Sequence, residues 1–319
     1  ELEPLGHQEL PSLAQALSWR ARLKALDREY DIALEALLTR WKLASLYTNP
    51  RLLLSDQKTG MIQKQRTIEN ALRIVRWFEP SAESLKLWQD AWRRQFETDR
   101  YKPGFEAQRL YYYDLLQRYF TDTGEGQGSL SYPAIQEFDV EVMTFLRTRL
   151  IGPDRGEFKE AIDNSFDRYE DIINSSPYEN HTTNPNLTTA AEAIGQDYPV
   201  LRPFVPDLRS YYDLYYTLQA RRGGLVTALT ILRYKSDNNE LPETLEQLKE
   251  AGYIETLPND PFAEGQLSYI AFDEGRFRLF SPGSDFTSET SDSPAELTDE
   301  MIEQDVIIWP PRNGMEKED

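Results

Sequence analysis

The apolar residues that mark this chain's segments recur every three or four positions from Trp19 to Leu232, change character beyond Tyr234, and from Leu267 to Leu279 alternate with polar ones. A repeat of three and four is buried along one side of a helix, whereas strict alternation is buried on one face of a strand. The order of the two periods predicts a mainly α chain with a small α+β part. An N-terminal multi-helix domain would be followed by a long helix packed on a short antiparallel sheet.

Trp19, Leu23, Leu26, Tyr30, Leu34, Leu37 and Trp41 form one stripe, with Arg20, Lys24, Arg28, Glu35 and Lys42 between them. This spacing predicts a single amphipathic helix over residues 11–47, buried on the stripe. Ile68, Leu72, Val75 and Phe78 mark a second helix, which Pro80 and the candidate cap Ser81 separate from a third carrying Leu85, Trp88, Trp92 and Phe96. Leu110, Tyr113, Leu116 and Phe120 mark a fourth. The pattern resumes with Ile135, Phe138, Val142 and Phe145, and again with Phe158, Ile162, Phe166, Tyr169 and Ile173. Short connections make these elements helical hairpins. Two interruptions are expected to be loops. TDTGEGQGS at 121–129 follows a helix and lacks the preceding strand of a dinucleotide fingerprint, and NSSPYENHTTNPN at 174–186 is polar and turn-rich.

After Pro203 and Pro206, the candidate cap Asp207 opens a long helix through Leu208, Tyr212, Tyr215, Leu218, Leu225, Leu229 and Leu232, with Gly223 and Gly224 predicting a weak or bent middle. Pro242 then starts a short helix that turns Leu241, Leu245 and Leu248 inward and ends at Gly252. Leu267, Tyr269 and Ala271 alternate before the turn DEG, and Phe277 and Leu279 after it, which is a hairpin pattern. The expected division is a helical domain at 1–204, an α+β module at 205–311 and a disordered tail at 312–319.

The formal net charge of −19 over 319 residues sets the chain against phosphate backbones, so nucleic acid is not an expected partner. With no cysteine there is neither a disulfide nor a thiolate nucleophile or zinc ligand. No run of apolar residues is long enough to span a bilayer. The first residue is Glu1 rather than Met, from which a targeting or membrane-anchoring segment is expected to have been removed. His7 and His181 are the only histidines, and neither has the sequence neighbourhood of a serine triad or a zincin, so no catalytic residue is assigned.

Residues 225–311 carry a more specific signal. Ala228 and Leu229, Tyr234, Asp237 and Asn238, Leu241 and Pro242, Gly252 and Tyr253, Leu257 and Pro258, Asp260, Pro261 and Phe262, Tyr269, Leu279, Phe280 and Ser281, Gly283, Asp285, Asp305 and Val306 occur in the order that resembles the C-terminal globular part of type II secretion major pseudopilins. That resemblance implies a Leu-Pro-Asn-Asp-Pro-Phe hook crossing the long helix, with Asp260 capping the turn and Phe262 anchoring it. In pseudopilins the loop that follows binds calcium through carbonyl oxygens and carboxylates. The resemblance therefore implies Asp285 and Asp305 as carboxylate ligands, with Ser281 and nearby carbonyls as further ones. Two departures stand out. The usual glycine pair between the aspartates is replaced by the acidic stretch 286–304, where Asp292 or Glu296 would be an added donor, and the equivalent of the filament-forming N-terminal helix is internal here. The whole chain resembles more loosely the uncharacterised bacterial membrane-anchored proteins in which a helical domain precedes a pseudopilin-like tail ending near Trp309 to Arg312.

These readings together predict a non-enzymatic, extracytoplasmic interaction or assembly protein with a protein partner and a calcium-stabilised loop. The competing expectation is a glycan-binding or carboxylate-dependent glycan-hydrolysing protein. It would present the tyrosines of YYYDLL (111–116) and YYDLYY (211–216) on an open cleft beside two converging acids.

Overall fold

A computed structural model describes residues 9–124, 127–134, 141–183, 189–288 and 305–311. Among them are eleven α-helices and one three-stranded antiparallel sheet, the mainly α architecture with a small sheet that the two periods predict.

The helix expected over 11–47 is two helices, α1 (Glu9–Leu26) and α2 (Tyr30–Ser45), packed on each other as a hairpin. The chain reverses at Arg28, whose φ of 63° lies in the left-handed region. The Glu29 amide donates to the Lys24 carbonyl at 2.8 Å and the Arg28 amide to the Ala25 carbonyl at 3.0 Å, the paired bonds of a Schellman turn. The buried face of α1 also differs from the expected one. Ala14, Ser18, Ala21 and Ala25 are buried, while Trp19, Leu23 and Leu26 are 54%, 58% and 65% exposed. Small residues let two helices approach closely, and that seam outweighs the larger side chains of the stripe. On α2 the stripe is buried as expected, through Leu34, Leu37 and Trp41.

The hairpin is tied to α3 (Leu54–Phe78) by a buried guanidinium. Arg40 donates to Ser18 Oγ at 2.6 Å and to Gln63 Oε1 at 3.1 Å, and burial, with Arg66 and Arg22 nearby, pulls its pKa down to about 10. Helix α4 (Ala82–Thr98) starts at Ser81, whose hydroxyl accepts from the Ser84 amide at 3.3 Å as a cap. It buries Trp88 and Trp92, and Trp92 meets Trp41 edge-on with ring centroids 5.8 Å apart.

The chain forms two compact units whose membership does not follow its linear order. Of the described residues, the first contains those within 9–48, 56–102, 213–288 and 305–311, and the second those within 49–55 and 103–212. Residues 9–48 and 56–102 thus share a unit with the C-terminal elements from residue 213 onward, while 49–55 group with the second unit. Side chains explain this grouping. Gln89 on α4 donates to the Tyr253 carbonyl at 2.9 Å, Arg221 pairs with Glu69 at 2.7 Å, and Arg76 donates to the Pro311 carbonyl at 2.9 Å.

The second unit is built from α5 (Glu106–Tyr119), α6 (Val142–Ile151), α7 (Arg155–Ile172), α8 (Pro177–Thr183) and α9 (Ala190–Asp197). Its core is aromatic. Phe120 stacks on Phe158 at 6.1 Å, and Phe204 closes edge-on over Phe158 at 6.4 Å. Two expected loops are partly ordered. Helix α8 lies within 174–186, started by a capping box in which the Glu179 amide donates to Ser176 Oγ at 3.2 Å and the Ser176 amide to Glu179 Oε2 at 2.8 Å. In the glycine-rich stretch, the Thr121 amide donates to the Ser129 carbonyl and the Thr123 amide to the Gln127 carbonyl, both at 2.9 Å, making a short antiparallel turn. Ile135 and Phe138 lie outside the described residues.

Helix α10 (Leu208–Asn238) is continuous through Gly223 and Gly224. The short helix α11 (Leu245–Glu250) ends at Gly252, with φ of 75° and the same pair of Schellman bonds seen at Arg28. Strands β1 (Ser268–Phe272), β2 (Arg276–Ser281) and β3 (Val306–Trp309) pair antiparallel in that order, with Tyr269 opposite Leu279 and Ser281 opposite Val306. Phe277 and Leu279 are buried, and half-buried Tyr269 donates its hydroxyl to the Pro242 carbonyl at 2.8 Å. Among the described residues no helix is long and apolar enough to cross a membrane, and the tail at 312–319 lies outside them.

Candidate functional site

The hook, residues 257–262, is set by local chemistry and by the helix it crosses. The Asp260 amide donates to the Gly265 carbonyl at 2.7 Å, and Phe262 is buried. A Cβ added at Gly223 would stand 2.8 Å from Pro258 Cβ, and one added at Gly224 only 2.2 Å from Ile308 Cδ1. The glycine pair therefore serves close approach of the hook and β3 to α10, and the helix runs through it without a break.

Asp260 closes the hook. Its Oδ1 accepts the Phe262 amide at 2.9 Å and the Ser281 hydroxyl at 2.8 Å, while Oδ2 is buried with no hydrogen-bond partner among the described residues. Burial pushes the Asp260 carboxyl up to about 6 against the lowering effect of those two hydrogen bonds. This aspartate was expected to cap the turn, which it does through Phe262. Its bond to the strand is the part that sequence did not reveal.

The three residues assigned to a metal are separated by environment. Ser281, at the end of β2, is fully buried and gives its hydroxyl to Asp260. Asp305 is buried immediately before β3, one residue from the Val306 that pairs with Ser281, so these two are brought together. Asp285 is exposed in the turn Gly283–Asp285, where its Oδ1 accepts the Thr287 amide at 3.1 Å. Among the described residues there is no group of three or more His, Cys, Asp or Glu that could hold a metal ion. These three side chains alone do not furnish the six to eight oxygens calcium takes. Asp292 and Glu296 lie outside the described residues.

A second polar cluster, unassigned from sequence, lies in the same unit. Lys64 on α3 is 1% exposed, with Nζ 2.6 Å from Asp99 Oδ2 and 2.9 Å from Thr48 Oγ1. It also stands over the Trp41 and Tyr101 rings, 5.0 and 5.3 Å from their centroids. Trp41 Nε1 donates to the same Asp99 oxygen at 2.8 Å, and Arg222 donates to the Phe96 and Asp99 carbonyls at 2.5 and 3.1 Å. Burial lowers the Lys64 pKa, and the Asp99 carboxylate opposes that shift. An amine used as nucleophile or base needs an open face toward substrate, and Lys64 is enclosed. The cluster clamps α3 to the segments carrying Thr48, Asp99 and Arg222. Its sequence signal is a lysine standing in phase with Ile68, Leu72 and Val75.

The tyrosine-rich words are largely core. Tyr112, Tyr211, Tyr212 and Tyr216 are buried, Tyr113 and Tyr215 are half-buried, and Tyr111 alone among them is exposed. The open aromatic platform expected for a glycan site is not formed by these residues. His181 is exposed on α8, and His7 lies outside the described residues. No family model, curated protein or solved structure matches this chain.

Proposed function

We propose that the chain is a non-enzymatic, extracytoplasmic protein of interaction or assembly, whose C-terminal module is of the type II secretion pseudopilin kind. The observation that carries this reading is the hook. A long helix, a short helix, a Pro258–Phe262 crossing and a hairpin followed by a third strand occur in the order on which the resemblance rests, and the glycine pair beside it lets the crossing and the third strand approach the long helix closely. The two buried polar clusters support it as well, since Asp260 with Ser281 and Lys64 with Asp99 fasten segments together behind closed surfaces.

The partner is a protein, met on the outer surface of the module. A calcium ion belongs to this reading only with oxygens from residues 289–304 added to Asp285 and Asp305, because the described residues form no group of three.

The test is site-specific photo-crosslinking in the native cell envelope, with the reactive group at exposed positions such as Glu250 and Glu255. The expected result is a crosslink to an envelope assembly protein, made on the side of the membrane reached by external protease. A chain found only in the cytosolic fraction, or a purified chain whose turnover of a substrate is abolished by one carboxylate substitution, overturns the proposal.

A further inference from the structure

Strands β1 and β3 are the two margins of the sheet, and the fold treats them differently. β3 is buried along its whole length and lies against α10, where Ile308 fills the space that Gly224 leaves. β1 stands open. Ala271 is exposed, Ser268, Tyr269, Ile270 and Phe272 are half-buried, and among the described residues no strand or side chain pairs with the backbone on its outer side. In an antiparallel pair, alternate residues bond to the neighbouring strand and those between turn their N–H and C=O the other way. The unbroken register from Ser268 opposite Phe280 to Phe272 opposite Arg276 therefore leaves a short row of donors and acceptors facing solvent on the rim of the module.

Open edges are usually blunted by proline, by a charged side chain or by a bulge that twists the ladder away. The strand SYIAF carries no proline and no charge, and the irregularity in this sheet falls between Leu279 and Phe280 in the β2–β3 pairing. The row of backbone groups itself selects the occupant. A lipid surface or the side of a helix offers nothing that alternates donor and acceptor at strand spacing, whereas an extended peptide does so with its own backbone. Two extended chains compete, a second β1 and a segment of another protein. Self-pairing about a two-fold axis at Ile270 sets the exposed Asp273 of each copy opposite Leu267 of the other, next to Gln266, whose amide donates to Glu246 Oε1 at 2.6 Å. Carboxylates then gather at both ends of the ladder. A foreign segment escapes this by carrying lysine or arginine beyond its apolar run. We propose that the outer edge of β1 takes an extended segment of a partner protein as a fourth strand, with β-branched or aromatic residues beside Tyr269, Ile270 and Phe272 and basic residues at its ends. The inference rests on the reading of the chain as an interaction protein and adds how the partner is held.

The probe is the synthetic peptide Lys-Thr-Val-Thr-Val-Thr-Lys. Its control has proline in place of the central threonine, which keeps the charge and removes a ladder donor. Binding to the purified full chain is followed by fluorescence anisotropy and by hydrogen exchange. The probe is expected to bind and to slow exchange in β1, and the control to bind about tenfold more weakly or less. Of Ile270→Pro and Ala271→Pro, one removes an N–H facing β2 and the other an N–H facing outward. The variant that keeps the exchange protection of β2 is expected to bind the probe about tenfold more weakly than the parent. Leu87→Ser, which trims an exposed leucine on α4, leaves binding unchanged. Should neither proline variant fold, the two peptides on the parent chain decide.

Failure of the probe to bind overturns the proposal, as does protection that falls outside β1. Equal binding of probe and control also overturns it, since that is attraction of lysine to a chain of net charge −19 and not strand pairing. Concentration-dependent dimerisation of the parent, lost in the folded proline variant, assigns the edge to a second copy. The functional reading fails separately. Envelope crosslinks from Glu250 and Glu255 that persist without probe binding sink the strand alone, whereas a cytosolic chain that binds the probe sinks the extracytoplasmic reading and leaves the edge as described.

Discussion

The Ser281 hydroxyl donates to Asp260 Oδ1 at 2.8 Å, and behind that bond Asp260 Oδ2 is buried with no partner among the described residues. One carboxylate thus ties the hook to β2 while carrying a charge that its surroundings do not fully solvate. Such a group binds its proton more tightly in the folded chain than in the unfolded one. Its contribution to stability is fully present below the unfolded pKa of 3.8 and is lost as pH rises through about 6. The rise from 3.8 to about 6 corresponds to about 3 kcal/mol at neutral pH. Asp260→Asn, measured by urea unfolding against the parent at pH 7 and pH 5, is expected to gain relative stability at the higher pH. A parent-minus-variant difference independent of pH would contradict the buried, proton-hungry carboxyl.

Gly224 faces Ile308 across a gap that admits no side chain. Gly224→Ala is expected to destabilise by about 1–3 kcal/mol, although alanine is the better helix former by about 1 kcal/mol. Adding Ile308→Ala should recover part of that loss, since it removes the clashing atoms. Stabilisation by Gly224→Ala alone would mean that the glycine is not a spacing device.

Lys64 and Asp99 form an ion pair almost wholly removed from water. Lys64→Met leaves the Asp99 carboxylate with Trp41 as its side-chain donor and is expected to cost about 3–5 kcal/mol. A double-mutant cycle with Asp99→Asn should give a coupling above about 1 kcal/mol. Additive losses would show that the clamp is held by packing and not by the pair.

Arg28 holds a left-handed conformation that costs an L-residue about 1–2 kcal/mol. Its side chain is exposed, so Arg28→Gly should raise the melting temperature by relieving that strain. A lower melting temperature would assign Arg28 a side-chain role in the turn.

If the proposed calcium site forms, millimolar calcium raises the melting temperature of the parent relative to chelator by mass action and leaves Asp285→Ala with Asp305→Ala unchanged. An absent shift in the parent retires the calcium element and leaves the fold of the module untouched.

Sequence alone determined which elements exist wherever a local rule is decisive. The change of period past Tyr234 gave the sheet its place after the helices, Ser81 marked a cap, and Gly252 marked the end of α11 through its left-handed turn. The same turn at Arg28 passed unseen, because arginine carries none of glycine's preference for that conformation. The string Ser176-Pro-Tyr-Glu179 was a legible capping box hidden inside a stretch whose composition spoke for a loop.

Tertiary structure decided everything that depends on what lies opposite. Whether Trp19 or Ala21 faces inward turns on how closely α2 approaches, and whether Gly224 bends a helix or makes room turns on Ile308. Ser281 meets Asp260, Lys64 meets Asp99, and residues 9–48 and 56–102 share a compact unit with the elements from residue 213 onward through contacts distant along the chain. Periodicity is a property of one segment and is written in its own residues. Burial, ion pairing and close approach belong to pairs of segments, and they become fixed only when packing selects the partner.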